Sequence, residues 1–411
     1  NMRIDGEVPN LGKYSACRRV ARTIYLGSAP LQTAAHQGIE DRRVKLGCVV
    51  PGESPAIFGD ALRRLAGAAT YLYQDSGRYW YSTQPTVTKL AEDRAEQLKS
   101  DPDKVVEEIK GRLVADLRER GDFERVHVLP ASSADVPDDT DARLVVLGIE
   151  YPHIRDQESP ALLAAKAMHE LRGTSPRIYR NTLVFLAPDK TRLTDLDDAV
   201  RRFLAWQSIA DDVETLDLSP HQQRQVAQQR DAASGAVNAR LPETYQWLIV
   251  PVQSSPQADV EWQSFRMTGQ EALALRASKK LKNDENLVVQ LAPTRLRLEI
   301  DRIPLWRVSD AGPANHVAIR QLLEDFARYL YLPRLRNGGT LIDAVCSGVA
   351  MLTWSKDTFA YAEDFDQAAG RYRGLRSGQQ ISLDSGAPIG LLVKPDVASE
   401  QMLRDAGGRP V

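Results

Sequence analysis

The sequence predicts a mixed α/β protein in which a winged-helix-like module at each end flanks a central α/β layer with a largely parallel sheet. Three observations predict it: helical patterns followed by an aromatic hairpin over 15–81, short Val-, Ile- and Leu-rich runs alternating with helical patterns over 125–252, and a second helix-then-aromatic order over 316–361. At 411 residues the chain exceeds what one hydrophobic core serves. Four parts are expected: a winged helix-turn-helix-like domain over 1–87, an α/β domain over 88–260, a connecting helix and strand segment over 261–310, and a second winged-helix-like domain with a C-terminal extension over 311–411. Charged residues at 26 % and hydrophobic residues at 43 % lie in the globular range, so the chain is expected to fold throughout.

In the segment SACRRVARTIYLGSA, Cys17, Val20, Ala21, Ile24 and Tyr25 recur at spacings of three and four, the stripe of an amphipathic helix. A second short helix is expected from Gly38 to Gly47. A third starts at Ser54 with Pro55 in its first position; Ile57, Phe58, Ala61, Leu62 and Leu65 form its apolar face, and Arg63 and Arg64 point away. Thr70–Tyr73 and Arg78–Tyr81 are strand-favouring runs on either side of Gln74-Asp75-Ser76-Gly77, which suits a hairpin turn. Three helices and a hairpin are the order of a winged helix, with the third helix as recognition element and 74–78 as the tip of the wing.

Residues 88–120 read as helical. Arg125–Leu129, Arg143–Ile149, Thr182–Ala187 and Gln246–Val252 are apolar enough for strands buried on both faces, and Ala161–Leu171 and Leu193–Ile209 read as helices between them. Residues 211–240 suit an exposed helix or helical hairpin. Further on, a helix is expected around 269–281, a strand over Leu296–Ile300, a long helix from His316 to Leu332 and another over Leu341–Val349. Met351–Trp354 and Thr358–Tyr361 would form a second hairpin about Ser355-Lys356-Asp357. Asp60-Ala61 followed by one aromatic hairpin and Asp343-Ala344 followed by another suggest an internal duplication.

The first 90 residues hold 12 Lys or Arg against 7 Asp or Glu, a balance of +5, while the whole chain carries −2, leaving −7 for the rest. This asymmetry favours an anionic partner for the N-terminal part, against the simpler reading of a solvated surface. Arg63, Arg64 and Arg78, with Arg42 and Arg43, are the candidate nucleic-acid contacts, because guanidinium forks match phosphate oxygens. Tyr71, Tyr73, Tyr79, Trp80 and Tyr81 could stack on bases, but hairpin aromatics more often pack on the helices beneath. Cys17, Cys48 and Cys346 are widely spaced and odd in number, which suits free thiols and a cytoplasmic setting. No apolar run approaches the roughly 20 residues that span a bilayer, so no membrane partner is expected. Asn1 before Met2 suggests a residue left by expression and a natural chain that continues upstream.

No phosphate loop of the form GxxxxGK[ST] occurs: Gly338-Gly339 and 386–390 lack its lysine and hydroxyl residue. No HExxH pair or GxSxG elbow occurs either, and the histidines at 36, 127, 153, 169, 221 and 316 sit singly, so no cofactor or metal is expected in this chain. Asp103, Glu107, Glu108 and Lys110 could belong to a metal-dependent nuclease, but at helical spacing they read more simply as a salt-bridging face. Asp195, Asp197 and Asp198 suit a helix's first turn. Ser132, Ser133 and Asp135, in an acid-rich loop beyond a strand end, are candidate ligand residues, with a plain surface loop as the simpler reading.

Five stretches together carry a resemblance: ARTIYLGSAP at 21–30, FGDALRRLAGAATYLYQDSGRYWYSTQPTV at 58–87, SPRIYRNTLVFLAPD at 175–189, FARYLYLPRL at 326–335 and LTWSKDTFAYAE at 352–363. They resemble the C-terminal half of a family of large bacterial AAA-superfamily predicted ATPases, long catalogued as a domain of unknown function. Its members sit beside DNA methyltransferases in defence islands and are similar to the large ATPase component of bacteriophage-exclusion systems. The resemblance implies an ATPase module upstream, with ATP and Mg²⁺ confined to it. It also implies a non-catalytic region here that binds or positions DNA, or alternatively a scaffold that docks methyltransferase or other defence subunits.

Overall fold

The computed structural model describes residues 2–31, 38–82, 86–155, 158–308, 314–384, 386 and 388–407. Contacts divide the chain into two compact units, 1–105 with 199–235, and 106–198 with 236–411. Residues 199–235, read from sequence with the α/β layer, thus belong to the first unit.

After two short helical segments, Met2–Glu7 and Pro9–Gly12, the first unit continues with α1 (Ala16–Ser28), β1 (Ile39–Glu40), α2 (Asp41–Cys48), α3 (Pro55–Ala68), β2 (Leu72–Asp75), β3 (Arg78–Tyr81) and α4 (Val87–Gln97). Cys17, Val20 and Ile24 of α1 are fully buried against Phe58, Leu62 and Leu65 of α3, as the three-and-four spacings predict. Full burial of each such Leu, Ile or Phe contributes roughly 1.5–3 kcal/mol. The start of α1 is capped from a distance: Asp5 accepts hydrogen bonds from the Cys17 and Arg18 amides at 2.9 and 3.2 Å, while Ser15 makes no side-chain cap. The hairpin turns on Ser76 and Gly77, whose φ values of 46° and 76° are those of a two-residue type I′ turn.

β1 was not predicted; the helix expected from Gly38 begins at Asp41. Gly38 has φ +84°, and a Cβ there would lie 2.8 Å from the Tyr79 carbonyl, so glycine lets the chain close on β3. The sheet runs β1-β3-β2, all antiparallel. A second small core joins Val87 and Ala91 of α4 to Trp206, Ile209, Leu218 and Val226.

The second unit holds a five-stranded sheet. The helices and strands over this stretch are α5 (Pro102–Asp116), β4 (Arg125–Val128), β5 (Arg143–Val146), α6 (Pro160–Glu170), β6 (Leu183–Pro188), α7 (Leu193–Asp211), α8 (Pro220–Thr244), β7 (Tyr245–Val252) and β8 (Glu261–Arg266); α5, α7 and α8 have residues in both units. Every residue of β5 and β6 is buried, as their composition predicts. The order is β8-β7-β6-β5-β4, with β4–β5 and β5–β6 parallel and β6–β7 and β7–β8 antiparallel. The sheet is therefore mixed, which corrects the expectation of a largely parallel one. A single helix returns the chain to the starting end of the sheet, whereas two helices, α7 and α8, leave it at the far end. The short 253–260 link cannot make a crossover, so β8 must run back beside β7.

Past the sheet come α9 (Leu273–Asn283), α10 (Pro293–Arg302), β9 (Ala314–Ala318), α11 (Ile319–Arg328), α12 (Gly338–Ala350), β10 (Ala360–Ala362), the hairpin β11 (Asp364–Asp366) and β12 (Arg371–Arg373), β13 (Leu391–Val393) and α13 (Pro395–Asp405). The strand expected over 296–300 is helix α10: Leu296 and Ile300, four apart, are buried, whereas Leu298 is 67 % exposed. His316 lies in β9, not in the helix that follows. The second hairpin expected about 355–357 is absent, because Trp354–Asp357 form a helical turn. β10 pairs instead with β13, in a four-stranded antiparallel sheet that runs from the two-residue strand Arg307–Val308 through β9 and β13 to β10.

The order of elements is similar in the two regions, α1-β1-α2-α3-β2-β3 against α10-β9-α11-α12-β10-β13, but the second sheet has a fourth strand, Arg307–Val308, beside β9, and the hairpin β11–β12 separates β10 from β13. The repeated Asp-Ala pair falls in the third helix of each: Ala61 and Leu62 are buried like Ala344 and Val345, and the positions of Arg63 and Arg64 hold Cys346 and Ser347.

Candidate nucleic-acid interface

The five arginines singled out from sequence fall into three situations. Arg63 and Arg64 project from α3 with side chains 78 % and 51 % exposed, and both donate to Asp60, at 3.1 and 3.0 Å. Arg78 is structural: it donates to the Gly38 carbonyl and to Glu40, each at 3.0 Å, and so fastens β3 to β1. Arg42 and Arg43 are exposed in the first turn of α2 and have no side-chain partner among the described residues. The acid beside them, Asp41, is taken by Lys45 at 2.6 Å. Cations at a helix N-terminus oppose its dipole by about 0.3–1 kcal/mol each, an effect that Glu40 at the N-cap and Asp41 in the first turn counter.

The hairpin aromatics mostly pack, as the simpler reading held. Tyr79 is buried, Tyr73 and Trp80 stack on one another at 5.8 Å between ring centroids, and Tyr81 tilts against Tyr25. Within the same unit a polar groove of about 990 Å³ runs past Gly67, Tyr73, Trp80, Lys89 and His221. Its charges are paired: Lys89 with Asp93 at 2.9 Å, His221 with Asp75 at 3.3 Å. Gln222 reaches the Tyr73 hydroxyl at 3.4 Å, so the hairpin is braced from its own unit. On α1 and β2 lies an apolar surface in which Tyr25 is 63 %, Leu26 70 % and Tyr71 49 % exposed.

The loop at 132–135 is held by its own bonds. Ser132 Oγ accepts from the Ala134 amide, the Asp135 carboxylate accepts from the Ser132 amide at 2.9 Å, and Ser133 Oγ accepts from the Gly173 amide at 2.9 Å. Arg177, buried, donates to the carbonyls of Met168, Pro137 and Val136 and ties the following residues down. Glu108 pairs with Arg112 at 2.6 Å, while Asp103, Glu107 and Lys110 are exposed on α5. Asp195 lies in the first turn of α7. Among the described residues no group of three or more His, Cys, Asp or Glu is arranged to hold a metal ion.

Of the described histidines, His127, His153, His169 and His316 are parts of the packing, while His221 lines the polar groove. Burial and the Arg143, Arg177 and Arg125 charges hold His127 down to about 4, and burial with Arg180, Arg334 and Arg177 holds His169, edge-on to Trp262, down to about 3. His153 bonds Ser159 at 3.1 Å, and His316 bonds Tyr372 at 3.0 Å. His36 lies outside the described residues. The cysteines are free, and burial pushes the Cys17 thiol up to about 12, which removes it from thiolate chemistry. Among the described residues no helix is long and apolar enough to cross a membrane.

The partners Glu40 and Asp60, which decide what the arginines can do, were not singled out from sequence; Asp60 at i−3 and i−4 of two arginines was the available signal. Comparisons with models of known families, with curated proteins and with solved structures give no match to this chain.

Proposed function

We propose that the first unit is a winged-helix module that holds duplex DNA by its phosphates, as the non-catalytic part of a larger cytoplasmic ATPase in a phage-defence or restriction-like system. The observation that carries the reading is the pair Arg42 and Arg43, exposed and unpaired where the α2 dipole disfavours them. The helix-strand-helix-helix-strand-strand order and the β1-β3-β2 sheet support the winged-helix assignment. ATP and Mg²⁺ belong, on this reading, to an upstream module. Mobility-shift titration of the full chain with duplex DNA at several salt concentrations tests it. Binding that weakens steeply with salt is expected, and no binding at low salt overturns the proposal.

The exposed Tyr25, Leu26 and Tyr71 favour a second reading, a scaffold that docks a methyltransferase or other defence subunit through this apolar surface. Its mark would be co-purification with such a subunit that survives Arg63→Ala and Arg64→Ala and is lost in Leu26→Ser.

A further inference from the structure

We infer that the duplex binding proposed above reads no base sequence, an inference that rests on that reading and sharpens it to phosphate contacts alone. Telling bases apart in the major groove needs side chains that reach base edges: Arg or Lys to guanine, Asn or Gln to adenine, a carboxylate to cytosine. The third helix, which would enter the groove, exposes Pro55, Ala56, Arg63, Arg64, Gly67 and Ala68; its sequence holds no Asn, Gln, Lys, Ser or Thr, and its one carboxylate, Asp60, is occupied by Arg63 and Arg64. Its two arginines are drawn back along the helix to Asp60, and a carboxylate standing between them repels the acceptor-rich edge of guanine. The remaining exposed residues are short enough for a sugar-phosphate strand to lie close along the helix, and too short to select a base.

The wing adds no readout. Its turn is two residues long, its flanking Asp75 faces His221, and Arg78 is held by Glu40 and the Gly38 carbonyl. Nor does the second region of similar order add any. In α12 the residues at the places of Arg63 and Arg64 are Cys346 and Ser347, and the exposed residues Asp343 and Ser347 bring no cation. On α2 and α3 the exposed arginines are 42, 43, 63 and 64, and four phosphate contacts at a salt slope of about −0.9 each give about −3 to −4 in log K against log salt.

The test is fluorescence-anisotropy titration of the full chain with three duplexes of equal length, one A·T-rich, one G·C-rich and one mixed, over a range of salt. Dissociation constants within about threefold of each other are expected, since sequence-specific proteins separate target from random DNA by about 10³-fold or more. Arg42→Ala and Arg43→Ala should each reduce the slope by about one, at a thermal midpoint that does not fall. A preference of more than about tenfold for one duplex overturns the inference and leaves the phosphate reading standing. Absence of binding to all three at low salt overturns both.

Discussion

Asp60 holds the Arg64 guanidinium at 3.0 Å across one turn of α3, on the face that would meet a polyanion. An exposed pair of this kind contributes about 0–1 kcal/mol, so its loss barely touches the fold but releases charge. Asp60→Ala should raise affinity for duplex DNA about two- to fivefold at low salt and steepen the salt dependence, with the stability change under about 1 kcal/mol. Weaker binding by this variant, measured by anisotropy, contradicts the assignment of α3 to the interface.

Arg334 is the buried cation on which the second unit depends. Its Nε, Nη1 and Nη2 donate to the carbonyls of Asn181, Asn286 and Pro251 at 2.8, 3.0 and 2.9 Å, and burial brings its guanidinium down to about 10. Arg334→Met leaves three buried carbonyls without donors, a loss of about 3 kcal/mol or more. Urea unfolding followed by circular dichroism should show a clearly lower midpoint; an unchanged midpoint means those carbonyls find other donors.

Two histidines make the fold acid-sensitive. His127 and His169 titrate near 4 and 3 when folded and near 6.5 when unfolded. Between these limits the unfolded chain binds more protons, so stability is complete above about 6.5 and falls as pH drops, by up to about 1.4 kcal/mol per pH unit per histidine. His169→Phe should flatten the decline between pH 6.5 and 4 relative to the parent chain. Parallel curves for the two proteins, read from denaturant midpoints, refute this origin of the acid sensitivity.

Gly390, just ahead of β13, has φ +113°, and a Cβ there would stand 2.3 Å from the Tyr361 ring. Both backbone and space demand glycine, so Gly390→Ala should cost about 2 kcal/mol or more. Thermal unfolding checks this, with Gly370→Ala as comparison: Gly370 shares a positive φ but has open space around it.

Sequence legibility followed the physics of burial. β5 and β6 stood out because, Arg143 apart, every residue in them is apolar and buried, yet that same uniformity carries no direction, and the antiparallel β6–β7 pairing went unread. β1 is two residues long and exists only because Gly38 admits Tyr79; no periodicity marks so short a strand. In α10, Leu296, Leu298 and Ile300 alternate like a strand, and only the exposure of Leu298 shows which period governs. Among the candidate arginines, Arg78 lost its free role to Glu40, a partner 38 residues away. Long-range pairs of that kind leave no spacing to recognise.

The reach of Arg334 has a consequence for biosynthesis. Asn181 precedes it by 153 residues, so at ribosomal speeds the carbonyl at 181 is made roughly 8–30 s before its donor exists. The first unit is likewise completed only by residues 199–235, which emerge after 106–198. The core between Leu11 and Tyr79 can close as it emerges, whereas the strand Leu183–Pro188, buried throughout, leaves the ribosome before its neighbour Tyr245–Val252 and before Arg334 exists, so its apolar face stays open over that interval.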